Sequence, residues 1–503
     1  MLNARPRSKR PLPRTVRSTA ALRTAGVAPR SNVGGGQGFS HHSENAYLYD
    51  YERKVKQSFA HIEETLRRIS SLQHEQNFEE RAQMIAMQEL GFELPELMLA
   101  DSWIKHLDIG QLYAWCVFET VKRMSNEFFS DKPLSNGDEE RFQAFLEGCG
   151  FHTMDISPCA DGRLAHVIRY VLRLPYKAVR RKSYAGAMFD VDDSLQKWIE
   201  TEMLRHREGL PNEASEPTRY LKVAVYHHSS KLPDHEGCAA HGSDTVKAAT
   251  AALERLKTFK QGVENSFCCG ASIDLLLLGI DTDNDVIRLH LPDQDGEIDV
   301  HQYIDAEKLY DSIGGALASA NYEEILTRAL GDFCTRERRT EPSEGMMKLA
   351  ASLLAANFAQ IEYVRTYHGG CYEDLGHQEC FIGMGIGFEE IQLRNLTYFA
   401  YLQTVEEGAK DLDVGIKIFT GLNISRGLPV PVVIRYDYHG QVPGAKERAE
   451  ARCKQLDQAL RQRFKNIADK GFLHTLLMVR DCQNHGQAET IGCSLKTHQQ
   501  GAH

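Results

Sequence analysis

A chain of 503 residues with a formal charge of −10 and 42% apolar residues can fill two or three buried cores, and it lacks the excess of base that nucleic-acid binders carry. No run approaches the roughly 20 consecutive apolar residues that a membrane span requires. Twelve cysteines scattered over this length are too sparse for a disulfide scaffold and fit a reducing compartment with a few metal-bound thiolates.

Residues 1–43 differ from the rest. Arg5, Arg7, Lys9, Arg10, Arg14, Arg17, Arg23 and Arg30 meet no acid before Glu44, and Pro6, Pro11, Pro13 and Pro29 interrupt any helix. Such a segment cannot bury enough apolar surface to order itself, so a disordered basic tail is expected. A transit peptide is also arginine-rich and acid-poor, but these prolines break the amphipathic helix it would need. A solubilising tail and a tether to an acidic partner are the other two readings.

Residues 44–135 read as an all-α domain. Val55, Phe59, Ile62, Leu66 and Ile69 recur at spacings of four and three, which makes one apolar stripe that must face another helix. Further helices are predicted over Glu80 to Leu90 and Gln111 to Phe129, and no ligand-like cluster accompanies them.

Residues 136–383 carry the chemistry. A strand is predicted over Phe151 to Ile156, a turn at Ser157-Pro158-Cys159-Ala160-Asp161-Gly162-Arg163, and a helix over Leu164 to Val171. A thiol, a carboxylate and a guanidinium thus alternate at the end of a strand, where open α/β sheets place their sites. A Cys thiolate is a soft ligand that Zn²⁺ favours; an Asp two residues on can reach a zinc-bound water, and an Arg beyond it can clamp that carboxylate. By itself the motif also describes a buried thiol beside an ion pair, so two further ligands are needed.

They are predicted downstream. Tyr220 to Tyr226 alternates as a strand and ends in His227-His228, and Cys238 follows a loop. His227 continues the face of Val223 and Val225, whereas His228 points the other way, and His235 would make a compact His-x-x-Cys with Cys238. Cys159, His227 and Cys238 are the preferred ligands, with His228 and His235 as alternatives. A helix from Thr245 to Lys260, with Val246, Ala249, Leu253 and Leu256 on its apolar face, and a strand from Ile273 to Ile280 then imply a mainly parallel α/β sheet.

Cys159-x-Asp161-x-Arg163 followed by a strand-end His and a later Cys resembles the β-type carbonic anhydrases. The long gap between His227 and Cys238 is wider than in ordinary β-type enzymes. The stretches Thr218 to Asp244, Asn395 to Phe399, Thr404 to Gly408 and Asp413 to Lys417 before Gly427-Leu428-Pro429 resemble the carboxysome shell, or epsilon-class, carbonic anhydrases. That resemblance implies zinc-hydroxide interconversion of CO₂ and bicarbonate, with Asp161 and Arg163 as catalytic residues and His241 or His228 relaying the proton. It implies placement on the lumenal side of the carboxysome shell, CO₂ supply to Rubisco, a homodimer or larger homo-oligomer, and a tail that binds Rubisco or the scaffold.

Residues 384–503 repeat the order faintly. A strand from Pro431 to His439, a helix from Lys446 to Phe464 and a strand from Leu473 to Arg480 match the strand, helix and strand around Cys238, without a Cys-x-Asp-x-Arg. A duplicated sheet domain that has lost its metal is therefore expected. Between the halves, His368, Cys371, His377 and Cys380 offer two His-x-x-Cys units that could close a structural zinc, but nothing else in the sequence supports one, and a loop at the mouth of the active site is the other reading. The basic run Lys177 to Lys182 reads as a solvated face or an anion site. Two rivals remain: a zinc hydrolase or deaminase, which would need a Glu beside the histidine, and a non-catalytic shell or scaffold protein with Asp161 or His235 closing the zinc.

Overall fold

A computed structural model describes residues 45–100, 102, 105–131, 138–175, 179–210, 212–213, 217–267, 272–313, 322–401, 409–483 and 486–495. The basic segment 1–43 and the stretch Thr404 to Gly408 lie outside these residues, as does part of the basic run Lys177 to Lys182.

Four helices come first: α1 (Asn45–Ser71), α2 (Phe78–Glu89), α3 (Glu96–Leu99) and α4 (Ile109–Asp131). The α1 stripe of Val55, Phe59, Ile62, Leu66 and Ile69 is buried throughout, as its spacing requires. These helices share a core with the second of two sheets, through Phe381, Leu476 and Met478.

The first sheet is built from β1 (Thr153–Pro158), β2 (Arg180–Arg181), β3 (Arg219–His228), β4 (Ser272–Asp281), β5 (Ile287–His290) and β6 (Ile304–Asp305), in the order β2-β1-β3-β4-β5-β6. Strands β2, β1, β3 and β4 are parallel, and β5 and β6 close one edge antiparallel. The predicted parallel reading holds for the centre of the sheet and fails at that edge. Helices α5 (Glu139–Gly148), α6 (Val191–Arg207), α7 (Thr245–Phe267), α8 (Ala306–Ile313), α9 (Tyr322–Arg336) and α10 (Glu344–Tyr367) belong to this half. Asp138 and Asp190 cap α5 and α6 by accepting the backbone N–H of Arg141 and Asp193.

The second sheet contains β7 (Phe381–Ile386), β8 (Thr397–Tyr401), β9 (Val430–Tyr438), β10 (Leu473–Asp481) and β11 (Glu489–Cys493), accompanied by α11 (Ala409–Leu422), α12 (Ala445–Arg463) and α13 (Lys465–Ala468). Its order is β11-β10-β9-β7-β8, with β8, β7, β9 and β10 parallel and β11 antiparallel. Read from the other edge, this is the order of β2-β1-β3-β4-β5.

Two local expectations fail. Leu164 to Val171 is no α-helix: a 3₁₀ turn at Gly162–Leu164 is followed by a π turn at Val167–Val171, and every residue in both is buried. Val246 lies on the exposed side of α7, at 51% exposure, while Ala249, Leu253 and Leu256 face the core. Among the described residues no helix is long and apolar enough to cross a membrane.

Candidate metal centre

The end of β1 and the end of β3 lie side by side, because the two strands are parallel neighbours with Pro158 opposite Val225. Cys159 continues that line through its N–H to the Val225 carbonyl at 3.1 Å, and its Sγ accepts the Gly186 N–H at 3.2 Å. His227 is the penultimate residue of β3, and Cys238 opens the 3₁₀ turn Ala239–His241 that leads into α7. All three are buried, and Sγ of Cys159, a ring nitrogen of His227 and Sγ of Cys238 lie within 4.8 Å of one another.

Neither ring nitrogen of His227 has a hydrogen-bond partner, although the residue is only 1% exposed. A buried imidazole left unsatisfied is costly, and two buried thiols beside it make a donor set suited to a soft divalent cation. The Cys238 thiol and burial raise the Cys159 thiol well above its usual range, and the Cys159 thiol in turn lowers Cys238. The residues therefore fit a zinc ion.

Beside them, Asp161 and Arg163 form a closed pair. Arg163 Nε donates to Asp161 Oδ1 at 2.9 Å and Nη2 to Oδ2 at 2.8 Å, while the Arg163 N–H also reaches Oδ1 at 2.9 Å. The remaining Nη1 donates to the carbonyls of Glu236 at 2.7 Å and Leu375 at 3.0 Å. Burial by itself would raise the Asp161 carboxyl, but the charges of Arg163, His227 and His377 outweigh it and hold the group well below the usual carboxylate range. Asp161 Oδ2 lies 3.4 Å from His227 Nε2, so an ionised acceptor sits at the lip of the ligand cluster.

The alternative histidines fall elsewhere. His228 points to the opposite face, near Tyr226 and His290, where burial pushes it down to about 3. His235 is exposed in the loop. His241 contacts the Gly186 carbonyl at 3.2 Å and belongs to neither group of residues placed to hold a metal.

Of the two readings for the loop that carries His377, the structure follows the one at the mouth of the site. His377 Nδ1 lies 2.9 Å from Glu379 Oε1, and its Nε2 is 3.8 Å from Asp161 Oδ2. Burial lowers this imidazole, but Asp161 and Glu379 more than compensate and raise it to about 9. Glu379 also accepts the Gly162 N–H at 3.2 Å. A Cβ on Gly162 would stand 2.5 Å from Glu379 Cγ and 2.8 Å from the Thr397 carbonyl, so only glycine fits between the two halves of the chain. The other reading, a closed site of His368, Cys371, His377 and Cys380, does not form. His368 sits among the rings of Tyr49, Tyr363 and Tyr372, and the Cys371 and Cys380 thiols point to the backbone carbonyls of Tyr372 and Gln378.

Family models for the carboxysome shell carbonic anhydrase match in three consecutive pieces: N-terminal at residues 38–129, catalytic domain at 141–377 and C-terminal at 378–495. The chain belongs to the carboxysome shell carbonic anhydrase family. Relatives of that name include one from Prochlorococcus marinus (strain MIT 9313), 48% identical over 100% of this chain and 99% of the relative. Another, from Parasynechococcus marenigrum (strain WH8102), is 50% identical over 91% of this chain and 79% of the relative. A third, from Halothiobacillus neapolitanus (strain ATCC 23641 / c2), is 42% identical over 90% and 88%. The protein is thus a carbonic anhydrase, and the cluster at the ends of β1 and β3 falls within the matched catalytic segment.

Proposed function

We propose that this carbonic anhydrase interconverts CO₂ and bicarbonate with a zinc ion held by Cys159, His227 and Cys238 and a fourth position left to water. One observation carries the reading: two buried thiols and an unsatisfied buried imidazole converge within 4.8 Å beside a carboxylate whose orientation is locked by a guanidinium. Zinc bound there would lower the pKa of its water so that hydroxide is available near neutral pH.

The protein's own groups do the rest. Asp161 accepts the hydrogen of the attacking oxygen and leaves a lone pair facing the carbon of CO₂. Arg163 keeps Asp161 ionised and fixed in its plane. His377, raised to about 9 and so protonated near neutral pH, is placed to give its Nε2 proton to the site in the bicarbonate-dehydration direction, and Glu379 holds the ring through Nδ1. A closed structural zinc is not favoured, since His235 is exposed and both oxygens of Asp161 are held by Arg163, with Oδ2 turned toward His227 to accept a hydrogen.

Cys159→Ala is expected to lose zinc and fall to the uncatalysed rate. Asp161→Ala is expected to keep zinc and lose turnover by about 10²–10³-fold, the usual cost of removing one group that stabilises the transition state. Zinc content and ¹⁸O exchange between CO₂ and water measure both, and exchange at the wild-type rate in either variant would end this assignment.

The shared strand order supports reading the two sheets as a duplicated unit whose second copy has lost its metal, with limits near residues 136 and 384. The relatives' name supports placing this chain in the carboxysome, where dehydration of bicarbonate on the lumenal side would supply CO₂ to Rubisco. The basic segment 1–43 would tether a homodimer or larger homo-oligomer to Rubisco or to the scaffold by salt-sensitive attraction. Deleting residues 1–40 should abolish capture of the enzyme by immobilised Rubisco or scaffold at low salt, and undiminished capture would remove the tether.

A further inference from the structure

The segment from Asp374 to Glu379 supplies three things to the reaction centre: the Leu375 carbonyl that receives Arg163, the His377 imidazole, and the Glu379 carboxylate on the Gly162 N–H. It is a loop, in neither helix nor strand, so something else must fix it. Asn395 does most of this. It is 2% exposed and holds a left-handed backbone at φ 58°. Its N–H donates to the Gly162 carbonyl at 2.8 Å, its Oδ1 accepts the Gln378 N–H at 3.1 Å, and its Nδ2 donates to the Gly376 carbonyl at 2.8 Å and to Asp374 Oδ2 at 3.2 Å. One residue therefore ties the loop, through its side chain, to the turn that carries Cys159, Asp161 and Arg163, through its backbone N–H.

The other end of the loop is held by charge. Asp374 accepts Arg394 Nη1 at Oδ1, and Arg394 also donates to the Asp374 and Thr282 carbonyls at 2.9 Å each. Its Oδ2 lies 3.5 Å from Lys56 Nζ on α1, and Lys56 is in turn 2.9 Å from Glu52, which accepts the Tyr363 hydroxyl at 3.3 Å. The chain of contacts runs from α1 to Asp374 and then, through Asn395 and Leu375, to Arg163.

We infer that Asn395 and Asp374 are positioning residues for the carbonic anhydrase reaction, and that Lys56 makes the N-terminal helices part of the same support. This rests on the role proposed above for Asp161. A displacement of about 1 Å in a positioned catalytic group costs up to about 10²-fold in rate, which sets the scale of the effect.

Asn395→Gly keeps the left-handed backbone and the N–H to Gly162 and removes only the side-chain bonds. It is expected to retain zinc and to lower kcat for CO₂ hydration by about 10–100-fold with little change in KM. Lys56→Met, at a partly exposed position, tests the charge without threatening the fold; it should lower kcat by about 3–10-fold, and Lys56→Arg should restore it. A merely structural role predicts a lower melting temperature with wild-type kcat per bound zinc, and that result in both Asn395→Gly and Lys56→Met overturns the inference. The outcome is distinguishable from failure of the Asp161 assignment, because an active Asp161→Ala sinks that reading whatever these variants do.

Discussion

The two sheets share a strand order and differ in what stands at their strand ends. The last pairs of the β3–β4 and β9–β10 ladders are His228 with Asp281 and Tyr438 with Asp481, so His227 and Asp437 hold corresponding places. At His227 both ring nitrogens are without a hydrogen-bond partner. Around Asp437 stand charges that answer each other: Arg435 donates to both oxygens of Glu390, its Nε lies 2.7 Å from Asp437 Oδ1, and Arg480 donates to Asp437 Oδ2 at 3.1 Å. Ser125 of α4 completes the set by donating to Glu390 at 2.7 Å. Among the described residues, no group of three metal-ligating atoms is drawn from β9, β10 or β11. The first sheet thus ends in thiols and an imidazole and the second in carboxylates paired with guanidinium groups, so the difference lies in which side chains stand at the strand ends rather than in strand order.

The sharpest way to break this comparison is to remove a buried arginine from each side. Arg163 and Arg435 are both fully buried and both grip carboxylates. Arg163→Met should lower kcat by on the order of 10³-fold while zinc stays bound, because Asp161 loses its orientation. Arg435→Met should leave kcat per folded molecule unchanged and cost about 3–5 kcal/mol of stability, because Glu390 becomes an uncompensated buried charge and Asp437 keeps only Arg480. Stopped-flow hydration and denaturant melts separate the two, and an activity loss in Arg435→Met that exceeds the loss of folded protein would show that the second sheet takes part in the chemistry.

His377 comes next, since it joins the halves functionally. His377→Gln keeps a hydrogen bond to Glu379 but has no proton to give, and should lower kcat for bicarbonate dehydration by about 10²-fold, with partial rescue by added imidazole. Activity unaffected by the substitution would return the proton relay to His241.

Much of this was legible in the residues. Periodicity gave α1 because a stripe of Val55, Phe59 and Ile62 has no other way to be buried, and alternation along Tyr220 to Tyr226 gave β3 and the inward aim of His227. Cys159, Asp161 and Arg163 were found because one turn carries all three. The place of His377 stayed open between two readings because its contacts are with a turn more than 200 residues away, as in the 217-residue separation of Gly162 and Glu379, while its neighbours Cys371 and Cys380 also suggested a local metal motif. The only local sign was His377-Gln-Glu379 just ahead of a strand. The turns after Gly162 were misread as a helix because a fully buried segment has no amphipathic face to show its period.

The smallest effect concerns stability in the first sheet, whose antiparallel edge carries His290. The ring is fully buried, with Nε2 2.8 Å from the Tyr226 hydroxyl and Nδ1 3.2 Å from the Asp299 carbonyl, and Arg288 lies on the same strand. Burial, aided by Arg288 and opposed by the Asp299 and Gln302 carbonyls, pushes this imidazole from its ordinary 6.5 down to about 4. A group held neutral in the fold stabilises fully above its unfolded pKa and loses that contribution as pH falls, because the unfolded chain binds the proton first. Stability should therefore decline between pH 6.5 and 4, by no more than about 1.4 kcal/mol per pH unit from this residue. His290→Gln, which offers Tyr226 and Asp299 an acceptor and a donor without a titrating ring, should flatten that part of the profile in denaturant melts. If acid destabilises the variant as steeply as the wild type, the acid-sensitive element lies outside this strand, and His228 on β3, which burial pushes down to about 3, becomes the place to look.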